Sequence, residues 1–317
     1  MTTSTLEPER RTAHVGALAF DAFAWGPADG EPLLTLHGFP QHGRSWQAVA
    51  DRLACDGVRI WSFDQRGYSP RARTPLDEYT LDAVAADALG VADALGLDRF
   101  HVAGFGMGAV QAWQLAAGHP ERVASLTALR FPHPAVFAAA VREDAEQRAL
   151  WEALERMSPP REAAETLLRD DAAGLRDFLA GSGMAPDVVA ATVERLRDRE
   201  TLEAAIAWHL IPVERMAEVP PVAVPTCYVF SRGPALLPAT AARCASAVTG
   251  EYELVELESA GHWLLESAAD ALAPVVTRHV RRNAIGAGPD AGREADVAVG
   301  ARADAGTDGA ARTAPRA

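Results

Sequence analysis

The stretch HVAGFGMGAV, residues 101–110, reads as an apolar strand that runs into a glycine-framed turn and then into a helix. Gly104, Gly106 and Gly108 frame the turn, and the spacing predicts a helix over 107–118. Upstream, 79–96 (YTLDAVAADALGVADALG) carries apolar residues at helical spacing, and 99–106 follows as a buried strand. Further back, 16–26 alternates as a strand does, and apolar runs within 31–40 and 58–70 close in turn residues. Downstream, 121–131 (ERVASLTALRF) predicts another strand. Strands alternating with helices at this spacing specify an α/β chain whose mostly parallel sheet is covered on both faces.

The rhythm breaks from His133 to Met216, where consecutive amphipathic helices run without strands. It resumes with VPTCYVF (224–230), a helix near 239–248, YELVELE (252–258) and a last helix over 266–282. The expected organisation is therefore a core of 15–132 and 217–283, interrupted by a helical cap at 133–216. Residues 1–14 are expected to be a flexible N-terminus. Residues 284–317, rich in Ala, Gly, Asp, Arg and Thr without periodicity, are expected to be a disordered tail.

Composition narrows the chemistry. The 317 residues are 49% apolar, enough for a sizeable core. A formal charge of −13 disfavours nucleic acid and anionic membrane surfaces as partners. All thirty basic residues are arginine, so Schiff-base chemistry, pyridoxal phosphate anchoring and a lysine-bearing phosphate loop are excluded. Cys55, Cys227 and Cys244 are scattered and form neither a disulfide framework nor a zinc motif. With a polar start and no long apolar run, the chain is expected to stay in the cytoplasm and off the membrane. Its histidines are isolated, so no metal is expected, and no cofactor motif is present.

The order of HGFP (37–40), DQRGYSP (64–70), the glycine frame after a strand, FPHPAVF (131–137) entering a helical cap, and SAGHW (259–263) resembles the α/β-hydrolase fold. More narrowly it is similar to the epoxide hydrolase and haloalkane dehalogenase branch, over roughly residues 15–283. The resemblance implies an oxyanion hole made by the backbone N–H groups of Phe39 and Met107. It also implies a nucleophile at the centre of the glycine frame, in the pattern Gly-His-Asp-Trp-Gly. Here the five positions are Gly104, Phe105, Gly106, Met107 and Gly108, so the nucleophile position is empty. The orienting acid is missing too: FSRGPALLP (230–238) has no carboxylate, and RFPHP after the preceding strand has none. Of the implied triad only His262 matches.

Each retained residue has a second reading. His262 is a general base, or a relic packed by Trp263. Gly106 either relieves the strain of the elbow or opens room for a bulky substrate. His209 stands where the resemblance implies an epoxide-polarising tyrosine, and acts as acid or base there or is an ordinary helical histidine. Phe105, Trp113, Trp151 and Trp208 line an apolar pocket, or are plain core. His37 and Asp64 are expected to be structural, while Ser69, Ser231 and Ser259 are the candidates for a displaced nucleophile.

These residues suit an enzyme without a covalent intermediate, in which His262, with His209, moves protons on an apolar small molecule while the two N–H groups hold an oxyanion or enolate. Epoxide hydration, elimination, isomerisation and cyclisation all fit, with a secondary metabolite as substrate. The alternatives are a ligand-binding or partner-supporting protein, and a hydrolase of esters or epoxides with a displaced nucleophile. No motif specifies an oligomeric state.

Overall fold

A computed structural model of the chain describes residues 6–155, 159–232, 236–257 and 261–286. Ser259 and most of the expected tail lie outside the described residues. The strands are β1 (Glu9–Val15), β2 (Leu18–Trp25), β3 (Glu31–Leu36), β4 (Val58–Phe63), β5 (Phe100–Phe105), β6 (Val123–Leu129), β7 (Thr226–Phe230) and β8 (Tyr252–Glu256). They form one eight-stranded sheet in the order β1-β2-β4-β3-β5-β6-β7-β8. The β1–β2 and β2–β4 pairs are antiparallel and all others are parallel. Every residue of β5 and β6 is buried, as expected of central parallel strands covered on both faces.

The covering helices are α1 (Gln47–Leu53), α2 (Leu81–Ala94) and α3 (Met107–Gly118), with α10 (Pro238–Ala242), α11 (Leu264–Ser267) and α12 (Ala269–Arg282) after the cap. Helix α2 packs on α3, and α1 packs on α12. Between β6 and β7 the cap inserts α4 (Pro134–Glu143), α5 (Ala145–Glu155), α6 (Pro160–Gly181), α7 (Pro186–Leu196), α8 (Arg199–His209) and α9 (Val213–Met216). The long α6 is interrupted at Arg169–Ala172, where Asp170, Asp171 and Ala172 have positive φ.

One boundary differs from the sequence expectation. Residues 9–14, assigned there to a flexible N-terminus, belong to strand β1. Its mostly exposed side chains show no apolar alternation, but its backbone pairs along the whole of β2. An edge strand needs only one partner ladder, so its sequence carries little of the usual signal. No described helix is long and apolar enough to cross a membrane.

This topology brings the segments following β3, β5, β6 and β7 to the C-terminal edge of the sheet, beneath the cap. Open α/β sheets bind ligands at that edge.

Candidate active site

The turn from β5 into α3 is a sharp one centred on Gly106. Gly106 sits at φ 56°, ψ −121° between β5 and α3, with its N–H donating to the Leu129 carbonyl at 3.1 Å. The outer glycines are dictated by packing. A Cβ on Gly104 would lie 2.2 Å from the Gly108 carbonyl oxygen, and one on Gly108 would lie 2.3 Å from that of Leu36. At Gly106 a Cβ would meet only the Gly38 Cα, at 3.9 Å. The backbone angle favours glycine there, but space does not require it.

Met107 is the first residue of α3, where N–H groups have no intrahelical acceptor. Among the described residues neither its N–H nor that of Phe39 has a hydrogen-bond partner, and both residues line one cavity together with Gly106. Two unused N–H donors, one of them at a helix N-terminus, favour negative charge on a ligand oxygen.

His262 reaches the same cavity, but its partner is an arginine. Arg130, directly after β6, donates from Nη2 to His262 Nδ1 at 2.9 Å. A guanidinium has no acceptor, so Nδ1 must accept and the ring carries its proton on Nε2. Burial, helped by the adjacent Arg130 charge, pulls the imidazole down to about 3. In this arrangement the neutral His262 ring presents an Nε2–H donor, whereas the sequence reading gave it as a general base or a relic packed by Trp263. A carboxylate on Nδ1 would have had the opposite effect. The Arg130 side chain was the residue sequence reasoning missed. RFPHP (130–134) holds no acid, and the arginine at the strand end is the signal it does carry.

The cavity has a volume of about 230 Å³. Phe105 and Trp151 line it as expected, joined by Phe131, Phe137, Phe178 and Trp263. Trp113 and Trp208 do not line it. Trp113 lies six residues along α3 from the elbow, fully buried, and its indole N–H donates to the Phe131 carbonyl at 3.2 Å. Trp208 packs against His37 and Tyr68 at ring separations of 6.0 and 6.4 Å. Its neighbour His209 does line the cavity, and successive helix residues point about 100° apart, so Trp208 faces the core. His209 stacks on Phe39 at 4.8 Å, and burial lowers its imidazole to about 4. Its Nδ1 has no partner among the described residues.

His37 and Asp64, expected to be structural, are both held by hydrogen bonds. His37 Nδ1 donates to the Gly38 carbonyl at 2.9 Å and its Nε2 accepts from the Gln65 N–H at 3.1 Å. Asp64 accepts from the Gly43 N–H at 2.9 Å and pairs with Arg195 of the cap. The displaced-nucleophile candidates fare poorly. Ser69 is fully buried and donates to the Asp64 carbonyl at 2.6 Å. Ser231 donates to the Gly261 carbonyl at 3.1 Å and accepts from Arg130. Ser182, a cavity residue not singled out from sequence, donates to the Leu179 carbonyl at 2.5 Å and accepts from Trp263. Among the described residues no group of three or more His, Cys, Asp or Glu side chains could hold a metal.

Comparison with known proteins agrees with this architecture. Residues 31–269 match the α/β hydrolase fold family. A rhodomycin D methylesterase of Streptomyces peucetius is 31% identical over 282 residues, covering 80% of this chain and 92% of that protein. Mouse epoxide hydrolase 4 is 36% identical over 110 residues, covering 34% of this chain and 30% of that protein. The chain thus spans less than a third of that relative's length. A solved structure described as novel epoxide hydrolases in metagenomes from hot environments superposes with a TM-score of 0.76 at 24% identity, covering 87% of this chain and 99% of that one. A Bacillus megaterium epoxide hydrolase bound to an inhibitor gives 0.74 at 21% identity, covering 85% and 99%. With the elbow, the cap and the sheet order in agreement, the chain belongs to the α/β-hydrolase fold family.

Proposed function

We propose that this protein is an enzyme that transforms an apolar small molecule in the cavity between sheet and cap without a covalent intermediate at the elbow. The observation that carries this reading is the elbow itself: Gly106 keeps the φ 56°, ψ −121° turn that glycine adopts without strain, and two residues with unpartnered N–H groups line the same cavity, with no side chain at Gly106 to attack. The Phe39 and Met107 N–H groups hold an oxyanion or enolate as it develops. The His262 Nε2–H adds a third donor, and the neutral imidazole of His209 is the proton acceptor. No carboxylate lines the cavity among the described residues, so water lacks a strong base. Isomerisation, elimination or cyclisation therefore suits the site better than hydration. A cytoplasmic setting and a substrate from secondary metabolism belong to the same proposal.

The second reading, a ligand-binding protein, is favoured by one observation: His262 is paired with a cation rather than an acid.

The test compares Met107→Pro with Met107→Ala: both remove the methionine side chain that lines the cavity, and proline, which is tolerated at the first helical position, alone also removes the N–H there. Wild type and both variants are incubated with a small-molecule extract of the source organism and followed by untargeted mass spectrometry. The expected result is a compound consumed by wild type and about 10²–10³-fold more slowly by Met107→Pro than by Met107→Ala, with unmodified intact protein mass. A trapped adduct would overturn the non-covalent reading. Consumption of nothing, with a compound retained through desalting, would favour the binding protein.

A further inference from the structure

We propose that the cavity takes an organic anion, a carboxylate carried on a one- or two-ring apolar body, and that Arg130 is its counterion. This deepens the reading above: it rests on the cavity being the ligand site, but not on turnover.

Two arginines among the described residues are buried, and they are treated differently. Arg66, 8% exposed, is held by Asp87 through Nε at 2.6 Å and Nη2 at 2.8 Å. Arg130, 4% exposed, has no carboxylate within ion-pair distance among the described residues. Its partners are the Ser231 carbonyl, the Ser231 hydroxyl at 3.3 Å and His262 Nδ1 at 2.9 Å, and its Nε has none. All of these partners are neutral. A guanidinium does not deprotonate in a protein, so the charge stays. A buried charge without a counterion is strongly unfavourable, and the cavity that Arg130 lines is where a counterion can arrive.

The backbone holds the guanidinium in that position. Arg130 has φ 71°, a left-handed conformation costly for a side chain of this size. Its N–H donates to the Val229 carbonyl at 2.9 Å, and its carbonyl accepts from the Tyr228 hydroxyl at 3.2 Å. Strain retained at a cavity wall and locked from both sides indicates that the direction of the side chain matters.

The rest of the wall agrees in sign. The His262 Nε2–H and the Phe39 and Met107 N–H groups are donors, and Met107 opens a helix whose N-terminal end is positive. Aromatic side chains supply the remaining surface. A cavity of about 230 Å³ exceeds the roughly 150 Å³ that holds benzene and falls below the ~300 Å³ at which drug-sized sites begin. One or two rings therefore fit. The protein's net charge of −13 repels anions at a distance, so any preference for one must arise locally.

The test titrates wild type with 2-naphthoate, 2-naphthamide and methyl 2-naphthoate, reading tryptophan fluorescence and calorimetry. Trp151 and Trp263 both line the cavity. The acid is expected to bind about tenfold or more tighter than either neutral isostere, with little loss in high salt because a buried pair is poorly screened. Arg130→Gln is expected to abolish the preference and Arg130→Lys to retain part of it. Equal or tighter binding of the amide, binding of none of the three, or an undiminished preference in Arg130→Gln would overturn the inference. The wild-type comparison stands even if the variants fold poorly. A missing preference leaves the non-covalent reading intact, and a trapped adduct on the elbow leaves the anion preference intact.

Discussion

The three glycines of the elbow look alike in sequence and do different work. Gly104 and Gly108 let β5, α3 and the end of β3 approach within backbone contact, whereas Gly106 faces open space at a backbone angle that other residues adopt only under strain. Gly106→Ala is therefore expected to fold with a loss of about 1–3 kcal/mol in urea denaturation. Gly104→Ala is expected to lose considerably more, because its Cβ would lie 2.2 Å from a carbonyl oxygen that cannot retreat without moving the helix. Comparable losses in the two variants would show that packing also dictates the central glycine. The residue scale is also where the sequence was least complete. Gly106 at the centre of the frame was legible in the sequence, but the consequence of Arg130 depended on its contact with His262, which lies 132 positions away.

At the scale of elements, the cap is fastened to the core by arginine–carboxylate pairs. Arg195 of α7 pairs with Asp64 after β4, and Arg73 pairs with Asp198 and Glu200 at the start of α8. Burial pushes the Asp64 carboxyl up to about 6, and Arg195 is the largest influence holding it down. Arg195→Met is expected to raise Asp64 further, so that the variant carries an unpaired buried charge at pH 8 but a neutral acid at pH 5.5. Its deficit relative to wild type should be on the order of 2 kcal/mol at pH 8, below the ~3–5 kcal/mol of a fully buried pair because Arg195 is partly solvated, and smaller at pH 5.5. Paired melts at the two pH values measure this; a deficit that grows on acidification would contradict it. Elements were largely legible in the sequence. The core strands and the cap followed from period, and β1 escaped because an edge strand with exposed side chains has no apolar alternation. Trp113 and Trp208 were rightly apolar but wrongly aimed, since helical spacing marks a residue as buried without saying which neighbour it meets.

At the scale of the whole molecule, the buried imidazoles set the response to acid. Burial lowers His37, His42, His101 and His262 to about 3, and His133, His209 and His279 to about 4. Below pH 6.5 the unfolded chain binds protons that the folded chain refuses, so stability is full above that value and is lost as pH falls toward 4. Each such proton contributes about 1.4 kcal/mol per pH unit. Asp64, near 6, and Glu266, near 7, work in the opposite direction, because the folded state keeps their protons and gains stability as pH falls through those values. Seven groups against two leave a net loss, and thermal melts at pH 7.5, 6.5 and 5.5 are expected to show a steep fall in Tm. A flat or rising Tm would contradict it. What the sequence by itself determined is the α/β-hydrolase fold, because periodicity and motif order are local properties of the chain. Only the tertiary structure decided what surrounds Gly106. The charge beside His262, its tautomer and the walls of the cavity depend on which distant residues the sheet brings to one edge, and no local pattern records that.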